Sequence, residues 1–154
     1  MSTTILRESS DGPRLSDQVC YALYSTGGAV TQAYSQLLAP YQLSYPQFVI
    51  MMGLWQNNGV SVTQLSAIVG LTKATLTPIL RKLETSGFLQ RKRVPGNERT
   101  MTILLTDKGT AFAEQARDIA EQALCATGLS SDEAEQLIAL CSKIRSNLKK
   151  SPAD

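Results

Sequence analysis

The first residues with chemistry in them are a cysteine and a group of tyrosines. Cys20 has Tyr21 and Tyr24 close by, and the remaining tyrosines, Tyr34, Tyr41 and Tyr45, follow soon after. Cys20 and Tyr24 are four apart and so share one face of a helix. From Gln18 to Thr72 the chain has no Asp, Glu, Lys or Arg. A thiol reacts as its thiolate, which needs stabilisation. With no base beside Cys20, tyrosine hydroxyls and the first turn of a helix are the groups that could supply it. A charge-free pocket with hydroxyl donors would also admit an uncharged oxidant in preference to a polar one. The residues alone leave two readings level: a reactive thiol, or a buried cysteine in a tyrosine-rich core or interface. Cys125 lies far along the chain on another expected helix, and spacing does not show whether the two can meet. Cys141 reads as core filler.

The second concentration of chemistry is basic. The net charge of +2 hides its distribution. Between Lys73 and Lys108 eight bases stand against three acids, a local charge of +5. Such a window points to an anionic partner at one place. The chain has no histidine, which excludes Ser-His-Asp triads, Cys-His nucleophilic pairs and His-ligated metals. The three cysteines form no CxxC motif, so zinc-ribbon and thioredoxin-like sites are excluded and no cofactor is expected. The longest apolar run, Phe48 to Trp55, is far shorter than the roughly twenty residues a membrane span needs. The N-terminal residues lack a signal-peptide core, so a cytoplasmic protein is expected.

The elements that must position these groups follow from periodicity. The chain has 154 residues, 43% hydrophobic and 18% charged, which suits one domain. Residues 1–14 are expected to be a loose arm. Leu15 to Leu38 has helical spacing with Ser16 as N-cap; Gly27-Gly28 within it predicts a kink or a close helix approach, and Pro40 ends it. Tyr45-Pro46 opens a second, nearly all-apolar helix. Ser61 and Gln64 form a capping-box start for a short helix that turns Leu65, Ile68 and Val69 inward and stops at Gly70. Thr72 caps the next helix, whose stripe is Leu76, Ile79, Leu80 and Leu83, and Gly87 closes it. A short helix, a tight turn and a longer helix make the helix-turn-helix layout. Phe88–Arg93 and Arg99–Leu105 flank Val94–Glu98 as a basic hairpin. Thr106 then caps one long helix to about Thr127, and Ser130 with Glu133 opens a last one. The fold class is mostly α with a small β-hairpin wing: a winged helix-turn-helix.

That layout has a direct mechanism on double-stranded DNA. The N-terminal residues of a recognition helix reach base edges, and the rest of the module grips phosphates. By position Thr72, Lys73, Ala74, Thr75 and Thr77 face the groove. Arg81, Lys82, Arg91, Lys92 and Arg93 are phosphate-contact candidates. Arg99, near the hairpin tip, could enter a narrow minor groove.

The sequence is similar to a known family at these positions. LTKATLTP at Leu71–Pro78, with the Ile79–Glu84 run and Gly87-Phe88-Leu89, resembles the winged-helix MarR-type repressors. Gln18–Tyr24, Ala33-Tyr34 and Leu43–Gln47 resemble the organic hydroperoxide resistance regulators within it, over about residues 15–150. The resemblance implies that Cys20 is a peroxide-sensing cysteine oxidised to a sulfenic acid. It implies that Tyr34 and Tyr45 hydrogen-bond that sulfur across a homodimer and that Tyr24 lines the sensor pocket. It also implies that Cys125 is a resolving cysteine, giving an intersubunit disulfide. Where those regulators often carry Asp-Ser-Gly this chain has Thr72-Lys73-Ala74, and where the wing often has Asp it has Asn97.

On that resemblance residues 15–154 form a single MarR-like unit. Residues 15–45 and 107–150 are dimerisation helices and 46–106 the DNA-binding lobe. The expected function is a homodimeric repressor of a palindromic operator, with organic hydroperoxide as effector and no membrane partner. Two alternatives are a regulator answering to a non-covalent apolar or phenolic ligand, and a thiol peroxidase acting through Cys20; the basic module has no use in the second.

Overall fold

The computed structural model describes residues 12–150, apart from the side chain of Glu98. The expected arm therefore falls mostly outside the described residues. Helix α1 (Val19–Leu38) leads to α2 (Tyr45–Gln56), a two-residue strand β1 (Val60–Ser61), α3 (Val62–Val69) and α4 (Lys73–Thr85). Strands β2 (Leu89–Val94) and β3 (Asn97–Leu105) form the wing, followed by α5 (Asp107–Ala111), α6 (Ala113–Thr127) and α7 (Ser131–Lys150). The sheet is antiparallel in the order β1-β3-β2. The mostly helical winged fold expected from the sequence is the fold observed.

Local chemistry sets most boundaries. Ser44 and Gln47 form a reciprocal capping box at the start of α2, as do Ser61 and Gln64 at α3, and each satisfies donors that a helix start leaves open. Thr72 caps α4 through the Thr75 N–H, and Thr106 caps α5 through the Gly109 N–H. Gly70, with φ of 70°, ends α3 in the left-handed conformation that makes the turn tight. Ser130 and Glu133 exchange the expected bonds at α7.

The core lies in the winged lobe. Phe48, Ile50, Met51, Leu54, Leu65, Leu76, Leu80, Leu83 and Ile103 are fully enclosed. At Gly53 a Cβ would press on Val69 and Leu65, so the glycine lets α2 and α3 approach closely. Outside the lobe burial thins. Helix α1 buries only Leu38, and α7 buries none of its residues.

Five expectations need correction. The first helix starts at Val19, because Leu15–Asp17 form a single 3-10 turn in which the Ser16 hydroxyl bonds to Asp17 rather than capping. Helix α1 runs unbroken through Gly27-Gly28, and a Cβ at either would meet nothing within 4 Å, so no close helix approach occurs there within the chain. Ile68 turns one methyl toward α2, 3.5 Å from where a Cβ on Gly53 would stand, but is 44% exposed, since the two-turn α3 turns only Leu65 fully inward. The wing turn is shorter than expected: β2 and β3 pair as far as Val94 opposite Asn97, leaving Pro95-Gly96 at the tip. The long helix after Thr106 is broken at Phe112. That ring packs against Tyr41, Trp55 and Phe88. The Trp55 indole N–H donates to the Gly109 carbonyl at 2.9 Å, the acceptor a continuous helix would offer to Ala113.

Candidate nucleic-acid interface and thiol site

The lobe presents its basic residues on exposed elements around α4. Thr72, Lys73, Ala74 and Thr75 are exposed at the start of that helix, and Thr77 is half-buried. Arg81 and Lys82 are exposed two turns further on. Lys92, Arg93 and Arg99 are exposed on the wing, with Arg99 just beyond the tip.

Two of the eight bases in the window have structural work instead. The Arg91 guanidinium makes a two-point contact with Glu84, at 3.0 Å from Nε and 2.7 Å from Nη2. The Arg91 backbone N–H donates to the same carboxylate. That pairing ties α4 to β2 and holds the Glu84 carboxyl below the usual carboxylate range, the Arg91 side-chain bond being the main cause. Lys108 donates from Nζ to the Ser86 carbonyl at 2.7 Å and lies 4.4 Å over the Phe88 ring. Arg91 thus differs from the other phosphate-contact candidates: its charge is already paired. Sequence gave no sign of this, because the partner is on a different element.

The thiol residues lie on the outer helices. Cys20 is exposed in the first turn of α1, and Tyr24 beside it is 82% exposed. Tyr34 and Tyr45 stack at 4.6 Å between ring centroids, with Phe48 at 5.6 Å from Tyr34. Burial, and secondarily Tyr45, pushes the Tyr34 phenol above its ordinary value, which keeps it a proton donor. Tyr34 is fourteen positions beyond Cys20, about 21 Å along the same helix. The structure brings Tyr34 and Tyr45 together and leaves Cys20 and Tyr24 well away from them in the same chain.

Cys125 is also exposed and lines a cavity of about 650 Å³ between α1 and α6 with Ala33, Gln36, Leu37, Asp118, Glu121 and Gln122. That level of α1 is about 20 Å from Cys20. The acids in this cavity were not singled out from the sequence. Their spacing of seven and four from Cys125, on one face of one helix, was the available signal. A smaller cavity of about 240 Å³, lined by Ala29, Val30, Ala33, Tyr34, Ala123 and Ala126, lies next to it. No group of residues able to hold a metal ion occurs among the described residues, and none of their helices is long and apolar enough to cross a membrane.

An open recognition helix, a tight turn ahead of it and a basic wing define a winged helix-turn-helix regulator. The profile of transcriptional regulator SarA/Rot matches residues 32–115, and the chain belongs to that family. It is 35% identical over 138 residues to the HTH-type transcriptional regulator TtmR of Methylorubrum extorquens, covering 90% of this chain and 71% of that one. It is 34% identical over 127 residues to the organic hydroperoxide resistance transcriptional regulator of Bacillus subtilis, covering 82% and 84%. Among solved structures it is similar to AbfR of Staphylococcus epidermidis at 26% identity. The reduced, DNA-bound form has a TM-score of 0.75 over 88% of this chain and 93% of that one. The disulfide form has 0.63 over 88% and 90%. These relatives are transcriptional regulators, not enzymes.

Proposed function

We propose that the chain is a homodimeric repressor of the MarR type that binds a palindromic operator and releases it when an organic hydroperoxide oxidises Cys20. The observation that carries the redox part is the placement of the two thiols. Cys20 and Cys125 are both exposed, and within one chain about 20 Å of helix α1 separates their levels, while a disulfide needs Cα atoms within roughly 7 Å. A bond between them therefore calls for a second chain. The unpartnered apolar side chains of α1 and α7, among them Val19, Leu23, Ile138, Leu140 and Leu148, are what a second copy would cover. In that arrangement a partner could bring Tyr34, Tyr45 and Cys125 to Cys20. Two recognition helices would then address half-sites about one DNA turn apart.

The chemistry balances with the peroxide as oxidant. The Cys20 sulfur takes the terminal oxygen of ROOH, giving a sulfenic acid and ROH. The partner's Cys125 thiol displaces water from that sulfenic acid and forms the disulfide. Moving the helices to join these sulfurs would respace the wings, and about 1.4 kcal/mol lost from binding is tenfold in affinity. The chain is more like the DNA-bound forms of AbfR, reduced at a TM-score of 0.75 and overoxidized at 0.73, than its disulfide form at 0.63, which fits a DNA-competent conformation here.

The thiol step is tested on a non-reducing gel after treatment with cumene hydroperoxide. Wild type should run as a linked pair. Cys20→Ser should stay single, and Cys125→Ser should stop at a sulfenic acid trapped by a dione reagent. A linked pair in Cys20→Ser would refute the scheme. The apolar cavity beside Tyr34 favours one second reading, a non-covalent apolar or phenolic effector, in which Cys20→Ser would still release DNA when that effector is added.

A further inference from the structure

We propose that the recognition helix reads thymine methyl groups, so that T·A pairs in the major groove, rather than hydrogen-bonding base edges, mark the half-site. The inference rests on the DNA-binding reading above and specifies what that site recognises.

It begins with what α4 lacks. From Lys73 to Leu80 there is no Arg, Asn, Gln, Asp or Glu. The bidentate pairings of Arg with guanine and of Asn or Gln with adenine, and the acceptance of the cytosine amine by a carboxylate, are therefore missing from the first two turns, where Lys73 is the one charged side chain able to donate to a guanine.

The hydroxyls that remain are turned onto the helix itself, with one proton of the Thr72–Thr75 pair left over. Thr72 Oγ1 accepts the Thr75 N–H at 3.2 Å as the helix cap. The Thr72 and Thr75 hydroxyls lie 2.9 Å apart and share one hydrogen bond. The Thr77 hydroxyl donates to the Lys73 carbonyl at 2.8 Å. With Thr75 Oγ1 turned back onto Thr72, the Cγ2 methyl is the branch Thr75 has to offer. Ala74 and Pro78 are exposed on the neighbouring turn of the same helix. The groove-facing surface is thus the Ala74 methyl, the Thr75 methyl and the Pro78 ring, with Lys73 at one end and Arg81 and Lys82 at the other. Cations at the ends suit phosphates, and an apolar centre suits the C5-methyl of thymine. Arg99 on the wing favours the narrow minor groove of A·T-rich sequence as well, so both elements select in the same direction.

The test uses the full-length reduced protein. Duplexes are selected from a randomised pool, then resynthesised with deoxyuridine in place of thymidine in the half-sites. Wild type should lose about fourfold in affinity for each contacted methyl, the value of one buried methyl group. Thr75→Val, which keeps a methyl but no hydroxyl, should show the same loss. Thr75→Ser, which keeps the hydroxyl but no methyl, should show a loss smaller by about fourfold. Equal binding of thymidine and deoxyuridine duplexes by wild type overturns the inference and leaves the DNA-binding reading standing. So does a loss that Thr75→Ser leaves unchanged. Selection of no duplex above random DNA overturns both.

Discussion

The winged lobe and the outer helices are built on opposite plans. The lobe encloses a close-packed apolar core and puts its charge outside. Helix α1 has no charged residue, and both α1 and α7 leave large apolar side chains in the open. A lobe of this kind is held by its own contacts, whereas the outer helices are incomplete until something covers them. On the proposed reading, the basic surface of the lobe is the one for DNA and the exposed apolar side chains of α1 and α7 are the ones for another copy.

The contrast breaks most readily in the core. Leu80→Ala should cost about 2–5 kcal/mol, because Leu80 is fully enclosed and its loss leaves a cavity. Ile138→Ala, at a residue 64% exposed in the single chain, should cost the lobe less than about 0.5 kcal/mol. Urea unfolding followed by the fluorescence of Trp55 compares the two. Similar costs would mean that the outer helices are not independent of the lobe.

Next in size is assembly. Replacing Ile138 and Leu148 together by Glu removes two apolar groups from the surface assigned to the second copy. Each such burial is worth about 1.5–3 kcal/mol, so the dimer dissociation constant should rise by about 100-fold or more, as sedimentation would show. An unchanged constant would place the interface elsewhere.

Within the lobe, Arg99→Ala and Arg91→Ala sharpen the division between DNA-facing and structural bases. Arg99→Ala should weaken DNA binding and lower the salt dependence by about one unit, with stability unchanged. Arg91→Ala should chiefly lower stability, since its charge is spent on Glu84. The reverse pattern would show the wing contact assigned to the wrong arginine.

The smallest effect is the acid response of that pair. The Glu84 carboxyl is held below its ordinary value, so its stabilisation is present above the usual carboxylate range. It is lost as pH falls through the lowered value. The pair is partly exposed, and solvent screening keeps the contribution to about 1 kcal/mol or less. Glu84→Gln should flatten that part of the stability–pH curve, and a curve identical to wild type would show that the pair contributes nothing.

Much of the lobe was legible because its signals are local. Ser61 with Gln64, Thr72, Gly70 and Thr106 each act within three or four residues, and each does what its type and spacing imply. What was not legible depends on distant partners. Strand β1 is two residues long, too short to show an alternation, and exists because β3 runs beside it. Phe112 lies in an unbroken amphipathic pattern, and the helix is interrupted where its ring meets Tyr41, Trp55 and Phe88 and the Trp55 indole takes the Gly109 carbonyl. Arg91 looked like its basic neighbours until Glu84 was found against it. In the thiol site the residue types were legible from Cys20 and the tyrosines. Their separation along α1 was not, since it follows from the continuity of the helix through Gly27-Gly28.

The central claim is that Cys20 oxidation takes the regulator off DNA. The direct measurement is a DNA mobility shift with a selected duplex, with and without an organic hydroperoxide, comparing wild type, Cys20→Ser and Cys125→Ser. Wild type should release the duplex on oxidation and rebind after thiol reduction, Cys20→Ser should hold it throughout, and Cys125→Ser should respond less completely. Release of Cys20→Ser by peroxide to the same extent as wild type would contradict the account.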